Sequence, residues 1–328
     1  MNYKSFIKNS ILLSIVLTII VLPIVMFKCE KFVRKEILPI DTASEWRVAI
    51  KNALKTPEKI STLIIGDSHP AWGLELNKTS ALNVSAPGDN FHLSYFKLKN
   101  ALNLGIKPKI LLLEVDYHMF VPKKVAEVRY IEAIDIMPED EIKKAGFKKT
   151  PGDYLYSLGL IQFRRDLSSK MTRLLIKYNE KILENKLNRD DSPTWKSFTP
   201  KQKRDKIKTR MAEQFKDKYI SDLNLEYFRK IIELCGRNKI KVLLISYPIT
   251  EEYYSAIPST VKTEVDNEIT NDSIFKKLTY WNYSKLYKLH PEYFQDTDHL
   301  HKATGLPVFS KVIETRLHKD FALAYTSL

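Results

Sequence analysis

The chain has 328 residues, enough for one large domain, or one domain with a sizeable insertion, plus an anchor. Hydrophobic residues make up 44% and charged residues 28%, a globular balance, while 9 Gly and 15 Pro exclude collagen-like and low-complexity architectures. The net charge of +14 admits a nucleic acid, an anionic membrane surface or an anionic polymer as partner. No zinc-finger spacing, aromatic RNA-binding signature or basic region leading into heptads is present, so no nucleic acid is expected. The lysines are spread along helical segments as solvated faces are. Two cysteines, Cys29 and Cys235, do not make a disulfide framework.

Residues 11–27 contain no charge, and Phe6, Ile7 and a snorkelling Lys28 extend the run towards a full bilayer span. No small-residue cleavage site follows, so residues 1–29 read as an uncleaved transmembrane signal anchor. Lys28, Lys31, Arg34 and Lys35 are partly offset by Glu30 and Glu36, and loop charge does not set the orientation. Residues 30–58 read as a charged, amphipathic connector, and 59–320 as the folded domain.

The first strand is expected at about 61–66, ending in Gly66-Asp67-Ser68-His69, with a helix near 70–78. A short strand at 81–85 closes in Ala86-Pro87-Gly88-Asp89-Asn90, and helical periodicity covers 91–104. The continuous apolar run 109–115 is a third strand of the buried parallel kind and ends in Asp116-Tyr117-His118. Residues 120–220 break the pattern as a charged helical insertion, with turns near Pro151 and Pro193 and helices near 138–145, 160–188 and 200–218. A helix at 224–236 leads into strand 239–247. Helix and loop over 249–270, a short strand at 279–284 and a helix at 303–317 close the domain. Apolar strands alternating with helices predict an α/β fold with a parallel sheet and right-handed crossovers.

Ligands in such sheets bind outside the carboxyl ends of the strands. Ser68, Gly88, Asn90, Asp116, His118 and Tyr247 all fall there. A serine on a sharp turn after a buried strand can be a nucleophile, given a base. His299 is the candidate base and Asp296, three residues before it, the group that fixes its tautomer; Asp298 is the alternative, although adjacent side chains usually diverge. Oxyanion donors are expected from the N–H groups of Ser68 and Gly88, with Asn90 adding a side-chain donor or serving as a helix cap. Asp67 is expected to hold the elbow by bonding local N–H groups, and His69 to support it. His69, His118 and His301 show no compact ligand spacing, so neither metal nor cofactor is expected.

The stretches I-I-G-D-S-H, N-V-S-A-P-G-D-N and D-T-D-H-L-H-K-A-T-G-L-P-V-F-S-K-V-I resemble the blocks of the SGNH/GDSL hydrolase superfamily. The likeness covers about 60–130 and 225–315, and is greatest to membrane-anchored bacterial members, among them alginate acetylation proteins and the D-alanyl transfer protein of teichoic acid synthesis. The resemblance implies a flavodoxin-like three-layer sandwich and a Ser68–His299–Asp296 triad working through an acyl-enzyme without metal. It also implies a domain outside the cytoplasmic membrane, a cell-surface glycan substrate and a multi-span acyltransferase as partner. One departure is that the Asn usual after the third strand is absent, since Glu114-Val115-Asp116 stands there.

Two functions follow. One is a membrane-anchored serine O-acyltransferase or esterase. The other is a non-catalytic, membrane-tethered protein of the same fold that binds glycan or a partner acyltransferase.

Overall fold

The structure is a computed structural model describing residues 45–76, 80–122, 133, 136–144 and 193–321. The anchor at 1–29, most of the connector, the turn at Pro151 and the helix at 160–188 lie outside the described residues. Among the described residues no helix is long and apolar enough to cross a membrane.

Helix α1 (Glu45–Ala53) lies within the stretch read as a connector, yet its Trp46, Ile50 and Ala53 are buried in the domain core. Strand β1 (Thr62–Ile65) is buried at every position, as a strand covered on both faces must be. It leads into the short helix α2 (Ser68–Gly73), then β2 (Ala81–Asn83). Helix α3 (Phe91–Asn103) is capped by Asn90, whose side chain accepts from the Leu93 N–H. Strand β3 (Ile110–Glu114) runs into α4 (Tyr117–Phe120). Helices α5 (Glu139–Lys144) and α6 (Pro200–Gln214) belong to the insertion. Helix α6 has a full capping box from Thr199 and Gln202 and buries none of its residues fully, while Ile207 and Met211, one turn apart, pack partly buried against the core.

Helix α7 (Asp222–Arg237) is capped by Ser221 and buries Leu225, Phe228, Ile231, Ile232 and Cys235 along one stripe. Strand β4 (Lys241–Ser246) follows. The helical stretch expected over 249–270 is two helices, α8 (Glu251–Ala256) and α9 (Ser259–Asn271), because Pro258 disfavours helical backbone at Ile257. Strand β5 (Thr279–Asn282) and helix α10 (Gly305–Asp320) complete the domain.

The five strands form one parallel sheet in the order β2-β1-β3-β4-β5, the flavodoxin-like order. Leu63 pairs with Leu82 on one side and Leu111 on the other, and Leu111 with Val242. Period-two alternation then divides the core. Leu63, Ile65, Leu111, Leu113, Val242 and Leu244 face a cluster shared with α1, α3, α7 and α9. Ile64, Leu112, Leu243, Ile245 and Trp281 face a second cluster with Phe309, Ile313 and Leu317 of α10. The result is three layers, with the functional side chains at the carboxyl edge of the sheet.

Candidate active site

The elbow after β1 depends on a pairing between Gly66 and Glu114. A Cβ at position 66 would collide with Glu114 Oε2 and lie 2.6 Å from both Glu114 Cβ and Pro70 Cγ. Only glycine lets β1 pass so close to the end of β3. The Asp67 N–H then donates to Glu114 Oε2 at 2.5 Å. Asp67 caps α2, its Oδ1 accepting from the His69 N–H at 3.0 Å. Ser68 is thereby the first helical residue, and its N–H has no acceptor within the helix.

The loop 294–301 brings the other half of the site. Ser68 Oγ lies 2.9 Å from His299 Nε2. His299 Nδ1 lies 2.9 Å from Asp296 Oδ2 and 3.0 Å from Oδ1. Asp296 Oδ1 also accepts from the backbone N–H groups of Asp298 and His299, at 3.1 and 2.9 Å, so one carboxylate shapes the loop and aims the ring. With Nδ1–H donating to Asp296, Nε2 is left to accept from the Ser68 hydroxyl. Burial would raise Asp296, but the His299 hydrogen bond and charge, with the Asp298 N–H, together outweigh it and hold the carboxyl below its usual range. Trp72, one turn beyond Ser68 on α2, stands at 5.0 Å from the His299 ring and is 48% exposed.

Asp298 does not take the orienting place. Its nearer oxygen is 3.8 Å from His299 Nδ1. The carboxylate turns instead to Arg210 of α6, which donates from Nε at 3.1 and 2.9 Å and from Nη2 at 2.7 Å. Thr297 Oγ1 donates to it at 2.5 Å. Burial works against charge on Asp298, yet His299, His69 and Arg210 hold its carboxyl well below the usual range.

Behind Ser68 is a second, fully buried group of ionisable side chains. His69 Nδ1 lies 2.6 Å from Asp116 Oδ2, and His69 Nε2 lies 3.4 Å from Asp298 Oδ2. His118 Nε2 lies 2.7 Å from Asp67 Oδ2. Glu114 Oε1 is 3.5 Å from His69 Nδ1 and 3.6 Å from His118 Nε2, with no hydrogen-bond partner among the described residues. Burial would lower His69, but Asp116 by charge and hydrogen bond, with Asp298 and Glu114, raises it well above the usual imidazole value. Burial, with the charges of Asp67 and Asp116, pushes Glu114 well above the usual carboxyl range. Asp67, His69, Glu114 and His118 are the residue types of a metal site and bring their ligand atoms within 4.8 Å of one another. Both facing ring nitrogens are taken up by carboxylates at hydrogen-bond distance, so the charges are met within the protein.

The other expected site residues divide. Asp116 and His118 join the site, and Asp116 Oδ1 accepts from the Tyr247 N–H at 2.9 Å, tying the ends of β3 and β4. At the end of β3, Asp116 thus has a partner on each of its oxygens, the His69 ring and the Tyr247 N–H. Gly88 takes a positive φ of 86° in its turn, and the Asn90 side-chain oxygen is spent on capping α3. That turn is pinned by Lys97, buried in the core, whose Nζ reaches Val84 O at 2.9 Å and Asp89 Oδ2 at 2.5 Å. His301 stands apart from the serine, 3.2 Å from Thr304 Oγ1. Sequence patterning does not single out Glu114 or Arg210. A glutamate inside an apolar strand is the one available signal for Glu114. Arg210 is one base among many on α6 and carries none.

No family model matches the chain, and no curated protein matches it. Among solved structures it is similar to a GDSL-like lipase from Bacteroides thetaiotaomicron, at 10% identity and a TM-score of 0.38, over 83% of this chain and 98% of that one. A likeness that distant carries no assignment, and the functional reading rests on the geometry of the site.

Proposed function

We propose that the protein is a serine esterase or O-acyltransferase working through an acyl-Ser68 intermediate. The observation that carries this is the unbroken line Ser68 Oγ–His299 Nε2–His299 Nδ1–Asp296, with 2.9 Å at each junction. Ser68 Oγ attacks the acyl carbonyl carbon while His299 Nε2 takes its proton. Asp296 steadies the imidazolium. The leaving oxygen collects the proton from Nε2 as the ester bond breaks. A sugar hydroxyl or water then gives its proton to Nε2 and attacks the acyl-enzyme, and Ser68 recovers the proton as it departs. The Ser68 and Gly88 N–H groups are the proposed oxyanion donors, with Asn90 beside them.

The substrate in this proposal is an acyl group, an acetyl in the first instance, on a cell-surface polysaccharide. Residues 11–27 anchor the domain on the outer side of the cytoplasmic membrane, where a multi-span acyltransferase supplies the acyl group. The uncharged N-terminal run and the motif resemblance support this placement.

The test is labelling of the full chain by a fluorophosphonate. The expected result is stoichiometric labelling that disappears in Ser68→Ala and His299→Ala. Absence of labelling in the wild type, with glycan acetylation unchanged by Ser68→Ala, would sink the enzyme reading in favour of a tethered binding protein.

A further inference from the structure

We infer that Arg210 and His69 are positioning residues that cancel the field of Asp298 at His299, leaving Asp296 as the single acid felt by the base. The inference rests on the nucleophile–base reading of Ser68 and His299.

The problem it solves is local. His299 has two carboxylates at its Nδ1 side, Asp296 at 2.9 Å and Asp298 at 3.8 Å. The Asp298 side chain is 1% exposed, so solvent and salt screen it little. Two uncompensated anions that close would hold the imidazole protonated, and a protonated imidazole cannot take the Ser68 proton. Asp296 has to remain, because it fixes the tautomer. Asp298 therefore needs its charge answered from elsewhere.

Two cations answer it, and both reach Asp298 Oδ2. Arg210 engages both Asp298 oxygens through three donor contacts. His69 Nε2 faces Asp298 Oδ2 at 3.4 Å. His69 is kept charged by Asp116 on its other nitrogen, and its ring lies 5.3 Å from the His299 ring. The groups facing His299 are then Ser68 and Trp72 from α2, His69 beside them, and Asp296 and Asp298 from its own loop. Arg210, with Gln214 at its side on the same helix, reaches it only through Asp298.

The test uses the full chain and the variants Arg210→Gln, Arg210→Lys, Asp298→Asn and the double variant Arg210→Gln/Asp298→Asn. Two profiles are measured for each: the pH dependence of fluorophosphonate inactivation, and the imidazole titration of His299 by NMR. In Arg210→Gln the acid limb should move up by about one pH unit, with about a ten-fold loss of rate on that limb and recovery at high pH. Asp298→Asn should move it down. The double variant should return to within about 0.3 units of wild type, because the charge to be cancelled has gone with the charge that cancelled it. Arg210→Lys keeps the charge without the fork and should stay close to wild type.

A rate loss in Arg210→Gln that is equal at every pH, with both midpoints unmoved, would overturn the inference. So would additive loss in the double variant. If the wild type is not inactivated at all, the acyl-enzyme reading fails separately, and the His299 titration still decides whether Asp298 is cancelled. Thermal melts of each variant identify any that fail to fold, and Asp298→Asn, isosteric with the wild type, then carries the comparison against it.

Discussion

Two histidines meet at Ser68, and they are held in opposite ways. His299 has an acid on one ring nitrogen and a hydroxyl on the other. His69 has an acid on each side, Asp116 at 2.6 Å and Asp298 at 3.4 Å. An imidazole between two carboxylates gains by keeping its second proton, so His69 is a fixed charge. An imidazole between a carboxylate and a hydroxyl has one proton held and one to exchange. The same side chain, 5.3 Å away ring to ring, is therefore placed to exchange a proton in one position and to act as a strut in the other. What separates them is whether the second ring nitrogen faces a hydroxyl or an acid.

The comparison is tested most severely by removing one acid from each histidine. Asp296→Asn should lower turnover of an acyl ester by about 10⁴-fold, because the amide favours the wrong tautomer of His299. Asp116→Asn acts on the strut and should cost far less. The measurement is kcat on a chromogenic acetate ester for both variants under identical conditions. Equal losses would mean that the two histidines are not functionally distinct.

The sequence-legible part of this site is the Ser68–His299–Asp296 line. A serine on a glycine turn after a strand, and an Asp and His three apart before a helix, leave short local patterns. Ser68, Asp296 and His299 therefore stand out as candidates from residue types and spacing, and the parallel sheet follows from alternating apolar runs and helices. The strut is legible only in part. Asp116 and His118 are visible as polar residues at the end of β3, but their partners Asp67 and His69 lie some fifty residues away, and pairing at that separation has no sequence signature. Glu114 is hidden because a strand buried on both faces reads as a uniform apolar run, and one glutamate in it looks like an edge. Arg210 is hidden by the composition of α6, where Lys201, Lys203, Arg204, Lys206 and Lys208 offer the same charge and only the fold picks one. The helical pieces expected over 249–270 fail to join for a simpler reason, the backbone restriction that Pro258 imposes on Ile257.

The strut can also be broken mechanically. Gly66→Ala should destabilise the fold by about 2–3 kcal/mol, since the new methyl meets Glu114 and Pro70 with no room to shift. Chemical denaturation of the full chain gives the value. Because Glu114 is one of the colliding groups, Gly66→Ala combined with Glu114→Ala should cost less than the sum of the two single variants. Strict additivity would show that the contact with Glu114 is not what makes position 66 a glycine.

The smallest effect concerns the charge of Glu114 itself. Its folded value is raised well above the ordinary 4.5, while the unfolded chain ionises there. Below that pH both states hold the proton, and folding is indifferent to it. Above it the unfolded state releases the proton and the folded state does not, so wild-type stability falls as pH rises towards the folded value. Glutamine cannot ionise in either state. Glu114→Gln should therefore match the wild type near pH 4 and gain on it steadily as pH climbs through 5, 6 and beyond. Glu114 also helps to raise His69, whose contribution begins to fall only above its unfolded value of 6.5, so the window below that pH isolates the Glu114 effect. Melting temperatures of the two chains measured side by side from pH 4 to 8 read the divergence directly. A difference that stays flat, or that favours the wild type at high pH, would mean that Glu114 is ionised in the fold.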